Sequence, residues 1–278
     1  MIFSLAAPAK INWFLSIRGK REDGYHDIVS VMQCVSLYDL LSFEDSSEIE
    51  LVSDLDLPAG ENLVYKAAIL LKQKVQFSDG AKITLVKNIP VAAGLGGGSS
   101  DAAYTLIGLN KLWGLGLKEE ELMELAGRIG SDVTFFIRGL FSVVEGRGEI
   151  VKKMMTSSSF AMLLVKPDIG ISASWAYSRY ASGLTKKSVD IKLFCLALES
   201  RDFTSLRRMV FNDLEKGVVE KYRIIGDIKD MLLESGAEVA SMSGSGSVVF
   251  GVFSSEEKAR QASMRMGDHW CRTVRTLV

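Results

Sequence analysis

Four glycines and two serines crowd the run PVAAGLGGGSSDAA, residues 90–103, between an alternating strand-like segment at 82–86 and a helical stripe of Ala103, Leu106, Ile107, Asn110 and Trp113. Gly94, Gly96, Gly97 and Gly98 permit backbone conformations closed to other residues and clear side chains from the path of an anion. Backbone N–H groups in such a turn, with the positive end of the helix that follows, make a phosphate site. Ser99 and Ser100 add hydroxyls, one of which can ligate a magnesium ion carried by a nucleotide. Together with Asp101 they are placed to start the helix. The run lacks the Gly-Lys-Ser/Thr ending of a Walker loop, and Ser99 stands where the dinucleotide pattern has its third glycine. A phosphate-binding loop of another class is one reading, and a flexible serine-capped loop is the other.

The other candidates are weaker taken singly. Phosphoryl transfer to an alcohol needs a proton acceptor and positive charge near the moving group, and Asp132 and Lys10 are of the right types. By local sequence alone, Asp132 is a solvated or capping aspartate in a loop after Gly130, and Lys10 is a surface lysine. Tyr25 and His26 follow the turn Asp23-Gly24 and read equally as packing at its rim. Gly244, Ser245 and Gly246 offer a second glycine turn.

The elements that must position these residues are of mixed type. Residues 3–17 read as strand pieces with a bend near Pro8, residues 28–43 as further strand, and residues 62–75 as a helix. A helix follows over residues 118–129, and a strand or hairpin turns around Gly146-Arg147-Gly148. Thr156-Ser157-Ser158-Ser159 is the best boundary, ahead of a fresh apolar strand at 160–165. A helical stripe at Ile224, Ile225, Ile228, Met231 and Leu232 stops at Gly236, and a strand at 247–253 and a final helix from about Ser255 complete the chain.

Composition bounds the function. The 278 residues are 47% hydrophobic and 24% charged, too apolar for a disordered chain. With 33 basic and 34 acidic residues the formal charge is -1, so no overall positive field favours nucleic acid as a partner. Cys34, Cys195 and Cys271 fit no zinc spacing and read as buried structural thiols of a reducing compartment. No basic leader precedes a long apolar stretch, and no run approaches the ~20 apolar residues of a membrane span. The expected location is cytoplasmic, with no membrane partner.

The loop at 90–103 resembles the phosphate loop of the GHMP kinases, the galactokinase, homoserine kinase, mevalonate kinase and phosphomevalonate kinase superfamily. APAKIN at 7–12 and MSGSGSVVFGVF at 242–253 agree in order and spacing. REDGYH at 21–26, ENLVYKAA at 61–68, SDVTFF at 131–136 and NDLE at 212–215 are similar to the branch that phosphorylates a cytidyl diphosphate methylerythritol in non-mevalonate isoprenoid synthesis.

The resemblance implies an α+β, two-domain GHMP-kinase-like fold. A ribosomal-protein-S5-domain-2-like domain at 1–155 would bind ATP, and a ferredoxin-like domain at 156–278 would close over a cleft. It implies ATP and Mg2+ as cofactors, a small-molecule substrate, and a monomer or homodimer. Lys10 and Asp132 become the catalytic pair. Pro90, Val91, Ala92, Ala93, Gly94, Leu95, Gly96, Gly97, Gly98, Ser99 and Ser100 hold the nucleotide, Asn62 and Leu63 line the adenine pocket (or serve as helix cap and core), and Ser100 is the metal ligand. Asn12, Tyr25, His26, Tyr177, Gly244, Ser245 and Gly246 bind the acceptor, with Trp175 a competitor of Tyr177 beside the base. Two positions depart from the family pattern. Thr134 stands where proline is common, which bears on how rigidly Asp132 is held, and Ala173 stands where many members carry threonine.

Overall fold

A long antiparallel hairpin organises the first half of the computed structural model, which describes residues 2–55, 57–180 and 188–278. Strands β1 (Ile2–Lys20) and β2 (His26–Ser46) pair from Ile2 opposite Glu44 to Lys20 opposite His26. The register shifts at Pro8/Ala9, where the expected bend falls, and again at Asn12/Phe14 and Ile17/Gly19. The other edge of β2 pairs with β5 (Phe141–Gly146) and with β4 (Gly80–Val86). Strand β6 (Ile150–Lys153) extends the sheet antiparallel to β5, and β3 (Ile49–Ser53) lies parallel to β4.

Residues 7–17 of β1 are buried throughout, hence the near-continuous apolar run. Strand alternation sends Ala9, Ile11 and Trp13 into one core and leaves Lys10 and Asn12 together on the opposite face. Helices α1 (Leu63–Val75), α2 (Gly97–Leu112), α3 (Glu119–Ile129) and α4 (Ser131–Arg138) share one apolar core with Leu41, Phe43 and Ile83 of the sheet, with α2 lying on β1 and β2.

A second sheet, antiparallel throughout, runs in the order β10 (Trp270–Arg275), β7 (Ala161–Lys166), β9 (Val249–Phe253), β8 (Val239–Met242). Helices α9 (Ile224–Glu234) and α10 (Glu256–Ser263) cover one face. The other face shares a core with β1. There Trp13 meets Phe160, Phe194 and Phe250 edge-on at 5.4, 6.1 and 6.2 Å, and its indole N–H donates to Gln33 at 2.7 Å.

Four expectations are corrected. Helix α2 starts at Gly97 with Gly96 (φ 70°) as its cap, so Ser99 and Ser100 lie within its first turn, Asp101 lies just beyond it, and none of the three caps it. Asp132 sits in the first turn of α4 and not in a loop, because Gly130 and Ser131 end one short helix and begin the next. The chain closes on strand β10 after α10; its half-exposed sequence WCRTVR is that of an edge strand and carries little apolar alternation. Only Cys34 is buried, and Cys195 and Cys271 are half-buried. The seryl linker is held by Glu199, whose carboxylate accepts from the hydroxyls of Thr156, Ser157 and Ser158.

Because one aromatic cluster joins the two sheets, Trp13→Ala is expected to cost about 3–5 kcal/mol. Denaturant unfolding followed by fluorescence and circular dichroism should still give one coincident transition, shifted to lower midpoint.

Candidate active site

Two glycine turns meet over β1 and create a cleft of about 950 Å³. Gly94 (φ 75°) lies so close to the second turn that a Cβ there would come 2.0 Å from the Ser243 carbonyl oxygen. The Ser243 hydroxyl donates to Gly94 O at 3.0 Å, and the Val248 N–H donates to Ala93 O at 3.1 Å. Gly244 (φ 53°) faces the same point, and a Cβ on it would stand 3.1 Å from Lys10 Nζ and 3.3 Å from Asn12 Oδ1.

Lys10 is at the centre. Its backbone N–H donates to Leu95 O at 2.9 Å, and its ammonium donates to Asn12 Oδ1 at 2.6 Å and Gly94 O at 3.0 Å. Asp132 Oδ2 lies 3.7 Å from that ammonium; the Lys10 side chain is 4% exposed and that of Asp132 35%. Burial lowers the Lys10 ammonium from its ordinary value, and Asp132 pulls it partly back. The first turn of α4 presents the Asp132 carboxylate at the helix end that favours negative charge. Thr134 secures that turn by a hydroxyl that donates to Ser131 O at 2.8 Å, a hydrogen bond in place of proline stiffness.

Beyond this pair, the rings of His26 and Tyr177 stack at 5.2 Å and 26°, and Tyr180 meets His26 edge-on at 6.0 Å. Tyr25 is 56% exposed, with the Arg147 guanidinium 5.0 Å from its ring centre. Burial, and then the nearby Lys20, lower the His26 imidazole below its ordinary value. Trp175 packs instead on Tyr222, outside the cleft.

Each residue from 90 to 99 lines the cleft, as do Lys10, Asn12, Tyr25, His26 and Asp132. Asn62, Leu63, Tyr177, Gly244, Ser245 and the departing Ala173 line it too. Asn62 also caps α1, accepting from the Val64 N–H at 2.9 Å, so it keeps both of its readings. Ser100 and Gly246 are not in the wall. The Ser100 hydroxyl is buried without a hydrogen-bond partner, and Gly246 (φ 84°) turns toward Met242 and Ile171.

The model of the GHMP kinases N terminal domain matches residues 62–140, and that of GHMP kinases C terminal matches residues 196–270. The chain is 45% identical to 4-diphosphocytidyl-2-C-methyl-D-erythritol kinase of Thermodesulfovibrio yellowstonii, over 97% of this chain and 96% of that one. It is 44% identical to the enzyme of the same name from Caldanaerobacter subterraneus subsp. tengcongensis, over 94% and 92%. A crystal structure of 4-(cytidine 5'-diphospho)-2C-methyl-D-erythritol kinase superposes with a TM-score of 0.86 at 30% identity, over 98% and 99% of the two chains. The chain belongs to the GHMP kinases, in the 4-diphosphocytidyl-2-C-methyl-D-erythritol kinase family. It is an ATP-dependent small-molecule kinase.

Some residues of this kinase's cleft escape sequence reasoning. Arg147 lies in the β5–β6 turn, and its only local signal is a charged residue between two glycines. Leu55 and Leu57, ahead of α1, and Lys87, directly before the loop, also line the wall. Asn212 of the NDLE run has no cleft contact but shapes the second turn, donating to Met242 O at 2.8 Å and Gly244 O at 2.7 Å.

The state of His26 is testable. Because its folded value is depressed, the unfolded chain binds the proton more readily, so stability is lost as pH falls through the ordinary histidine range near ~6.5. An NMR titration should place its midpoint below that value, and Lys20→Gln should move it back upward.

Proposed function

We propose that this chain transfers the γ-phosphoryl group of ATP to the 2-hydroxyl of 4-diphosphocytidyl-2-C-methyl-D-erythritol, giving the 2-phosphate and ADP. The observation that carries the reading is the Lys10 ammonium, 3.7 Å from Asp132, between two glycine turns at the centre of one cleft. The acceptor oxygen attacks the γ-phosphorus, the bond to the β-phosphate oxygen breaks, and the hydroxyl proton passes to Asp132. Lys10 offsets negative charge on the acceptor and the transferring group. The backbone N–H groups of residues 94–99, at the start of α2, hold the phosphates, with Asn62 and Leu63 toward the adenine.

The stacked His26 and Tyr177 rings and the exposed Tyr25 support a cytosine at the other end, with Asn12, Gly244 and Ser245 along the acceptor. Gly246 serves the turn rather than the substrate, as its orientation toward Met242 supports. Magnesium belongs to the proposal as a companion of ATP. Among the described residues no cluster of three or more acidic, histidine or cysteine side chains could cage a metal, so phosphate oxygens and water would supply most ligands. The Ser99 hydroxyl in the wall is this chain's accessible donor, and the unpartnered Ser100 hydroxyl, buried behind it, would serve only on turning toward the cleft. When bound, the ion would neutralise charge on the phosphates. A division at 1–155 and 156–278 fits the two sheets, which span residues 2–153 and 161–275. A cytoplasmic location and a monomer or homodimer complete the reading; among the described residues no helix is long and apolar enough to cross a membrane.

Steady-state assays with ATP and a panel of acceptor alcohols test it. The cytidyl substrate should turn over, whereas phosphorylation of mevalonate or homoserine in its place would refute the assignment. Asp132→Asn should lower kcat by about 10²–10⁴-fold. Tyr25→Ala should raise KM for the acceptor by about fivefold or more, the loss of one base stack, and leave KM for ATP unchanged.

A further inference from the structure

Behind the phosphate loop, outside the pair described above, lies a buried cluster of charge. Asp39 on β2 is fully buried, and its carboxylate takes hydrogen bonds from three consecutive residues at the entry to the loop. Oδ1 accepts the backbone N–H groups of Asn88 at 2.6 Å and Ile89 at 2.8 Å, and Oδ2 accepts the Lys87 ammonium. The same ammonium donates to Asp101 Oδ2 at 2.7 Å, one turn into α2 just past the end of the loop. Asp39 thus ties the entry of the loop to its exit through one lysine.

Lys87 and Asp101 reach the cleft wall while Asp39 stands behind them. A Cβ on Gly97 would lie 3.2 Å from Lys87 Nζ, so the ammonium sits against the loop backbone itself. Two carboxylates share one ammonium, and Asp101 Oδ1 is buried without a partner. Burial pushes the Asp101 carboxyl up to about 7, opposed by Lys87 and reinforced by Asp39. A buried pair of this kind often adds little net stability, so its placement against the loop calls for another role.

We propose that Asp39 is a positioning residue for the nucleotide phosphates: it holds Lys87 against the glycine loop and fixes the loop's two ends relative to each other. The proposal rests on the reading that residues 90–100 bind ATP. Asp39 touches no substrate. It acts through Lys87, whose ammonium it shares with Asp101 and holds beside the N–H groups of the loop.

Equilibrium titration with a non-hydrolysable ATP analogue, alongside KM for the acceptor, tests this on the full-length chain. Asp39→Asn keeps the shape and removes the charge. It should weaken analogue binding about tenfold or more, as expected for a lost charged partner, and leave the acceptor KM within about twofold. A purely structural role would lower the melting temperature and leave the affinity of the folded protein unchanged, and that result overturns the proposal. Lys87→Gln should weaken binding to a similar degree. The double variant should be no weaker than the worse single one, since both act on one interaction; additive losses overturn the route through Lys87. If Asp39→Asn fails to fold, Lys87→Gln alone decides, with unchanged affinity as the contrary result. Gly98→Val separates the two readings, because a Cβ there makes only an ordinary 3.6 Å contact with Leu63 and Gly98 lines the cleft. Analogue binding that survives Gly98→Val refutes the loop as the ATP site. Binding lost in Gly98→Val but intact in Asp39→Asn refutes only the positioning role.

Discussion

A lysine ammonium nearly shut off from water is costly unless every donor finds a partner, and the structure is arranged around that requirement at Lys10. Its partners come from separate parts of the chain: Asn12 two residues along the same strand, Gly94 in the phosphate loop, and Asp132 at the head of α4. Each can reach it only if β1, the loop and α4 are packed as they are. The second glycine turn closes over the same atom, and a Cβ on Gly244 would crowd it at 3.1 Å. The turn is held there by Asn212 from yet another segment. Satisfying one buried cation therefore brings together the groups that phosphoryl transfer needs.

The cleft divides its work between two kinds of recognition. At the loop, in the proposed function, backbone N–H groups and a helix end would face the phosphates, where glycine largely removes side chains. At the far end stand aromatic faces, the His26–Tyr177 stack and Tyr25 beneath Arg147, which the proposed function gives to the base. The chain as a whole carries almost no net charge, so attraction for a doubly anionic pair of ligands comes from local groups at the site. Lys10, Lys20, Lys87 and Arg147 stand in the wall, balanced by Asp23, Glu61, Asp101 and Asp132, so the placement of single cations and backbone N–H groups matters more than total charge.

Much of this was legible in the residues. Glycine spacing marked the phosphate loop because few other uses require so many missing side chains between a strand and a helix. That residues 3–17 form strand with a bend near Pro8 was legible too, whereas the shared face of Lys10 and Asn12 came only with the structure. Helices with clear apolar stripes, such as α1, α3 and α9, were visible for the same reason that they fold: the stripe is the buried face. What stayed hidden depends on long-range contact. Asp132 looked like a loop residue because α4 is only eight residues long and shares Gly130 with the helix before it. Strand β10 was missed because its partner β7 lies about a hundred residues earlier and its outer face is polar. Ser99 and Ser100 could not be ranked from sequence, since which hydroxyl faces the cleft depends on the helix starting at Gly97. Asp39 and Lys87 gave no local signal of pairing, being joined only when β2 and β4 come together.

The central claim is that Lys10 and Asp132 act as one unit on the transferring group. A double-mutant cycle on kcat with saturating ATP and acceptor, using Lys10→Met, Asp132→Asn and the double variant, addresses it most directly. The account predicts strong non-additivity, with the double variant no slower than the worse single one by more than about threefold. Losses that multiply in full would mean that the two groups work independently, and would contradict it.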